Sequence, residues 1–332
     1  MMLDVFKGDA FSFTKLVEAI NRIPFAPTRI GRMGLFGTDG VSTTTVAVEM
    51  QNGVLTLVPT GPRGSRGPAK NVEKRTVRNF STVHLPQTVN VLADEVQGIR
   101  VFGSESETET AQAYLMKKMA IARRDLDLTH EWQRIGALKG IVLDADGTTE
   151  IYDYFTEFGL TQETQSFELD VDATKVRGVC QAVERKIEDK LGGLMMVGGV
   201  HAFVGKTFFD ALVDHPAVQD TFKNSGSNSE LRKNQRMAFE FGGIVFEEYR
   251  GSVGGTAFIG DSEGYAFPLG VPGMFQTYFA PADYMETVNT LGLPFYAKPK
   301  MMDFDKGIEY DVQSNPLHMN TRPEAVIKLT LT

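Results

Sequence analysis

The chain has 332 residues, 42% of them hydrophobic and 23% charged, the balance of a globular protein long enough to bury a sizeable core. A single cysteine, Cys180, excludes an internal disulfide framework, and a net charge of −8 argues against tight nucleic-acid binding. No apolar run reaches the ~18 residues of a membrane span, and the opening segment 1–7 lacks the apolar stretch of a signal peptide, so the expectation is a soluble product made in a cytoplasm.

From the N-terminus to about residue 43 the periodicity is weak. Pro24, Pro27, Gly31, Gly34, Gly37 and Gly40 break regular structure, yet Phe25, Ile30, Met33, Leu35 and Phe36 are too apolar for a free linker. The combination predicts an extended arm lying on a neighbouring subunit. Next, Val46, Val48 and Met50 alternate with less apolar residues towards Asn52-Gly53, a favoured two-residue hairpin turn. A Gly/Pro-rich loop follows at 61–68, and strand-like sequence returns over 75–91. Residues 44–95 therefore read as one long two-stranded excursion. Residues 61–80 carry Arg63, Arg66, Lys70, Lys74, Arg75 and Arg78 against one acid, Glu73, a local net charge of +5 that leaves −13 on the remainder. A basic loop on an acidic body suits contact between proteins; a merely solvated loop is the bland alternative.

Residues 104–139 give the strongest helical signal. Leu115, Met119, Ala122 and Leu126 recur at four-three-four spacing, with Leu128, Trp132 and Ile135 on an adjacent stripe. About 34 residues at ~1.5 Å each make a helix of roughly 50 Å. Residues 140–158 predict a second hairpin turning at Asp146-Gly147. Over 172–191 the pattern predicts an amphipathic helix capped by Asp172 and stopped by Gly192-Gly193. A buried strand over 195–204, helix over 208–222 broken at Pro216, and short strands over 239–296 and 306–331 complete a mixed α+β chain.

Three patterns resemble catalytic or ligand motifs. Gly260-Asp261-Ser262-Glu263-Gly264 has the form of a nucleophile elbow, with Asp283 or Asp303 and His318 following in hydrolase order. The elbow must open a helix, and Pro268, Gly270, Pro272 and Gly273 forbid one, so a turn between strands is expected. Gly205-Lys206-Thr207 has Val200 where a phosphate-binding loop needs glycine, and reads as a strand-to-helix turn. Asp144-Ala145-Asp146-Gly147 lacks a first calcium ligand, because that position is Val142. His84, His130, His201, His215 and His318 show no close ligand spacing. No catalytic residue, cofactor or metal is expected, and His130 reads as a surface or packing residue.

The order of arm, excursion and long helix is similar to that of the lambda-type (protein E family) major capsid proteins of tailed phages. Two stretches carry the likeness best. One runs from Arg78-Asn79-Phe80 through His84-Leu85-Pro86 to residues 93–103; the other is Gly226-Ser227-Asn228-Ser229-Glu230-Leu231. The resemblance implies the Hong Kong 97-type capsid fold: an N-terminal arm (1–43), an extended loop (44–95), a peripheral domain with a spine helix (96–170 and 296–332) and an axial domain (171–295). It implies a non-enzymatic subunit that self-assembles as hexamers and pentamers into an icosahedral head shell enclosing phage DNA, assembled in the host cytoplasm. Implied partners are further copies of the chain, a scaffolding protein, a portal and in some shells a decoration protein, with packaged DNA touched only non-specifically. It also implies non-covalent shells, although Lys70 or Lys74 could chemically join an asparagine such as Asn315. The competing readings are a serine hydrolase using Ser262 and another structural phage protein.

Overall fold

The structure, a computed structural model, describes residues 12–23, 28–50, 76–96, 107–192, 196, 198–224, 238–253 and 255–332. These form two compact units. One draws on the chain up to Val48 together with Arg78–Trp132 and Gln276–Met319; the other includes Gln133–Phe275 and Asn320–Thr332.

The first unit is built on a three-stranded antiparallel sheet with Gly307–Ser314 in the middle, between Tyr296–Met301 and Leu85–Leu92. Along Leu85–Leu92 exposure alternates residue by residue, as a half-buried strand requires. Val89 and Val91 point into a core with Ile308, Tyr310 and Val312. This strand falls inside the stretch expected to be excursion. Its alternation places it in the body sheet, and within the described residues the excursion is the pair Thr45–Met50 and Thr76–Ser81. The Asn52-Gly53 turn lies outside the described residues.

The long helix runs unbroken from Glu107 to Lys139. Leu115, Met119, Ala122 and Leu126 are all buried in the sheet's cluster, as their spacing predicts. Burying each larger side chain contributes roughly 1.5–3 kcal/mol. The adjacent stripe does not behave as one face: Ile135 is buried, Trp132 is half-buried and Leu128 is exposed.

The N-terminal stretch corrects the expectation of an extended arm on a neighbour. Phe13–Arg22 is a helix that buries Leu16, Val17 and Ile20, and Leu16 and Ile20 belong to the same cluster as the long helix. A second short helix, Arg29–Met33, buries Ile30 and ends at Gly34, whose φ of 63° suits a glycine. Pro24 and Pro27 fall between the two short helices, Gly34, Gly37 and Gly40 fall after them, and Gly31 is accommodated within the second; the breakers do not mark an extended chain. Polar groups fix the placement. Asn21 Nδ2 donates to the Phe295 carbonyl at 2.9 Å, and the buried Glu131 carboxylate accepts the Ile30 and Gly31 N–H groups at 2.6 and 3.2 Å.

The second unit centres on a six-stranded mixed sheet. Val200–Val204 is buried at all five positions, lying parallel to Ile244–Glu248 and antiparallel to Glu263–Pro268. Ile327–Thr330 and Thr164–Ser166 extend one side and Phe239–Phe241 the other. Helices Val176–Leu191 and Lys206–Asp214 contribute Val183, Ile187, Phe208 and Leu212 to the buried set. Asp172 does not cap the first of these. The helix starts at Val176 after a turn at Val171–Thr174, with Lys175 at the cap position making no side-chain bond; Gly192 ends it in the left-handed conformation as expected. Pro216 separates Lys206–Asp214 from Pro216–Asn224, with His215 extended between them. The 140–158 hairpin forms only as Ile141–Leu143 against Glu150–Asp153. The Asp153 side chain then accepts the Phe155 and Thr156 N–H groups and starts a helix, Tyr154–Phe158.

Candidate functional site

The patterns that look catalytic are structural turns. Ser262 is exposed in a turn directly followed by strand Glu263–Pro268. Its neighbour Glu263 accepts from Gly260 N–H and Tyr265 O–H, each at 3.2 Å, and pairs with Lys328 at 2.8 Å and Lys139 at 3.7 Å. Burial opposes ionisation of Glu263, but the two lysines outweigh it and its carboxyl lies below the usual range. These groups tie strand Glu263–Pro268 to strand Ile327–Thr330 and to the end of the long helix.

Gly205 sits where the chain leaves Val204 for the helix, and a Cβ there would come within 2.1 Å of the Gly260 carbonyl oxygen. The Asp261 carbonyl accepts the Phe208 N–H at 3.0 Å. This glycine is demanded by close backbone approach. Asp146 accepts from Thr148 N–H and Thr149 N–H, both at 2.9 Å, and from the Thr149 hydroxyl. These bonds hold its carboxyl well below the usual range and close the hairpin.

His130 is a packing residue. It is buried, stacks on Phe295 with centroids 5.3 Å apart, and contacts Ser314 Oγ at 3.0 Å. His318, 5.2 Å from the His130 ring, contacts Thr277 Oγ1 at 2.9 Å. Asn315 is committed internally: its Oδ1 lies 2.7 Å from His84 Nδ1 and its Nδ2 donates to the Pro281 carbonyl. The buried Cys180 thiol is pushed up to about 12, first by burial and then by Glu184. Among the described residues no His/Cys/Asp/Glu group could hold a metal ion, and no helix is long and apolar enough to cross a membrane.

What the molecule does offer is surface. Of the basic residues, Arg63, Arg66, Lys70, Lys74 and Arg75 lie outside the described residues; Arg78 is half-buried on strand Thr76–Ser81. In the first unit, large apolar side chains stand in water: Met285, Val288, Leu291 and Leu293 within nine residues, Ile121 and Leu128 seven apart on the long helix, and Phe304. Phe304 and Asp305 both have positive φ, at 60° and 54°, a conformation that costs a non-glycine residue about 1 kcal/mol or more. Exposed apolar groups clustered in this way mark contact sites.

The family described as Phage major capsid protein E matches residues 12–331. The chain belongs to that family. It is 27% identical to the major capsid protein of Pseudomonas phage KPP10, over 96% of each chain. Among solved structures it resembles a prophage protein of E. coli CFT073 described as a capsid protein, with a TM-score of 0.59, 12% identity and coverage of 96% and 99% of the two chains. It also resembles the mature capsid of bacteriophage PhiM1, with a TM-score of 0.52, 15% identity and coverage of 93% and 89%.

The fold is thus the α+β tailed-phage capsid fold, and the chain is a phage major capsid protein, a structural subunit of the virion that self-assembles into the shell. The serine-hydrolase reading finds no support in these relationships or in the turn that holds Ser262. For a capsid protein the functional residues are those that meet other copies. The sequence reading singled out the basic ones and missed the apolar row at 285–293. A signal existed in Met285, Val288 and Leu291 at three-residue spacing, but a buried loop would show the same spacing.

Proposed function

We propose that this major capsid protein assembles as hexamers and pentamers of an icosahedral head shell around phage DNA, in the host cytoplasm. Its further partners are a scaffolding protein and a portal, with a decoration protein on some shells. The family relationship over residues 12–331 is the observation that carries this reading. We assign the axial domain to the unit with the six-stranded sheet and the peripheral domain to the unit with the long helix and the three-stranded sheet. The paired strands Thr45–Met50 and Thr76–Ser81 are assigned to the base of the extended loop. Negative-stain electron microscopy of the protein expressed with and without its scaffold tests the proposal. Closed shells with five- and six-fold capsomers are expected, and tubes, rings or monomers under both conditions would overturn it.

Within that shell, Arg63, Arg66, Lys70, Lys74, Arg75 and Arg78 meet acidic surface on an adjacent copy. The net +5 of residues 61–80 against −13 elsewhere supports this. Exposed ion pairs each contribute only about 0–1 kcal/mol and are screened by salt, so a single reversal should change little. Reversing Arg63, Arg66 and Lys74 together to Glu spares the half-buried Arg78. The triple variant should sediment mainly as free subunits at low salt while its circular dichroism is unchanged. Wild-type sedimentation of this variant would reduce the loop to solvated surface.

A further inference from the structure

We propose that the loop Met285–Leu293 is a preformed apolar contact that a second copy of this chain covers in the shell; the proposal rests on the self-assembly reading above.

Thr287 N–H donates to the Tyr284 carbonyl at 3.0 Å and Thr290 N–H to the Thr287 carbonyl at 3.1 Å. The first closes a 3-10 turn over Met285–Thr287; the second is a type II turn, with Val288 at φ −59°, ψ 128° and Asn289 at φ 60°. Thr287 faces inward: it is buried, and its hydroxyl donates to the Ala282 carbonyl. Met285, Val288 and Leu291 face outward, exposed by 88%, 57% and 70%, with Leu293 following at 44%.

The loop is anchored at its far end as well. Gly292 N–H donates to the Val41 carbonyl at 2.9 Å, and Leu293 N–H to the Tyr296 hydroxyl at 2.8 Å. Gly292 lies so close to the body that a Cβ would come within 2.0 Å of the Phe279 carbonyl oxygen. The backbone is therefore fixed before any partner arrives, and a partner need not pay its ordering entropy. Within Met285–Leu293 the one charged side chain, Glu286, is held by Lys298 at 2.7 Å. An outward row without charge, with a neutralised pair at its edge, has the composition of an interface core and rim.

Size identifies the occupant. Four such side chains expose on the order of 500 Å2, the scale at which a patch on a monomer marks a contact. A stable two-body interface takes roughly 800 Å2 per partner. The loop alone is too small to hold an independent partner, but it suffices where that partner is already held elsewhere. Copies of one chain in a closed shell satisfy that condition, since each touches its neighbours at several places and the contacts add.

The test uses the full chain in two forms. Replacing Met285, Val288 and Leu291 with Ser should leave circular dichroism and thermal unfolding unchanged, because all three side chains are exposed, and should lower shell yield about tenfold or more against a wild-type control. Wild-type yield from this variant would overturn the proposal. In parallel, Leu291→Cys reports coverage directly, because the native Cys180 is buried with a raised pKa and reacts little. The new thiol should be labelled in free subunits and protected in scaffold-free shells. Equal labelling in both states, or protection only when a scaffold protein is present, would overturn coverage by a second copy. Absence of shells from the wild-type control would instead count against the self-assembly reading.

Discussion

Deleting residues 1–30 should abolish folding of the subunit, not merely its assembly. The deletion removes Leu16, Val17, Ile20 and Ile30, all buried. At roughly 1.5–3 kcal/mol for each buried aliphatic side chain, the loss is about 6–12 kcal/mol, comparable to the whole stability of a typical domain at about 5–15 kcal/mol. A compact unfolded state lowers that figure somewhat, but two polar losses add to it. Glu131, at 1% exposure, loses the Ile30 N–H as a donor, and Arg123 Nη1 loses the Ile20 carbonyl at 2.8 Å. The truncated chain should be insoluble or show no cooperative unfolding by circular dichroism. A soluble truncation with a cooperative transition near that of the full chain would show that these helices are dispensable to the fold.

The second large effect is expected at Arg123. Its Nε lies 3.2 and 3.1 Å from the two carboxylate oxygens of Asp127, and its guanidinium lies 3.7 Å over the Phe295 ring. Arginine and aspartate side chains are only 10% and 4% exposed. Arg123→Ala strips a buried carboxylate of its cationic partner, and removing one member of a buried pair costs about 3–5 kcal/mol. Replacing both members by apolar side chains of similar volume removes the buried carboxylate together with the guanidinium. The double variant Arg123→Met/Asp127→Leu should therefore recover most of the loss, although the bond to Ile20 stays broken. Urea unfolding of Arg123→Met, Asp127→Leu and the double variant measures the coupling. Equal destabilisation in Arg123→Ala and the double variant would show that packing on Phe295, rather than charge, dominates at this site.

Apart from Ile30, both predictions concern residues that the sequence did not mark. Arg123 and Asp127 are a familiar four-residue pair on a helix, and such pairs usually stand in water. Nothing local shows that the helix Phe13–Arg22 and strand Tyr296–Met301 bring Ile20 and Phe295 to them. The same holds for Glu131, whose partners lie 101 and 100 residues away.

What the sequence determined by itself is what short-range periodicity and backbone chemistry determine. The unbroken helix through 107–139 follows from a stretch without proline and an apolar row at four-three-four spacing. The break at Pro216, the left-handed stop at Gly192 and the failure of Ser262 to open a helix follow from residues that forbid alternatives. The kinship with capsid proteins was legible in the expected order of arm, excursion and long helix and in the stretches 78–103 and 226–231. Beyond that row, tertiary structure decided which apolar residues are inside. Leu126 and Leu128 share a helix two positions apart, yet one meets the sheet and the other water. The N-terminal segment, with breakers enough for an extended arm, folds as two short helices because Leu16, Ile20 and Ile30 find buried positions in the same unit. Met285, Val288 and Leu291 look like core in sequence and are surface in the fold, because Thr287 and Gly292 take the inward places and turn the larger side chains out. Burial is a property of contacts between distant segments, and a local pattern specifies a face without specifying what, if anything, covers it.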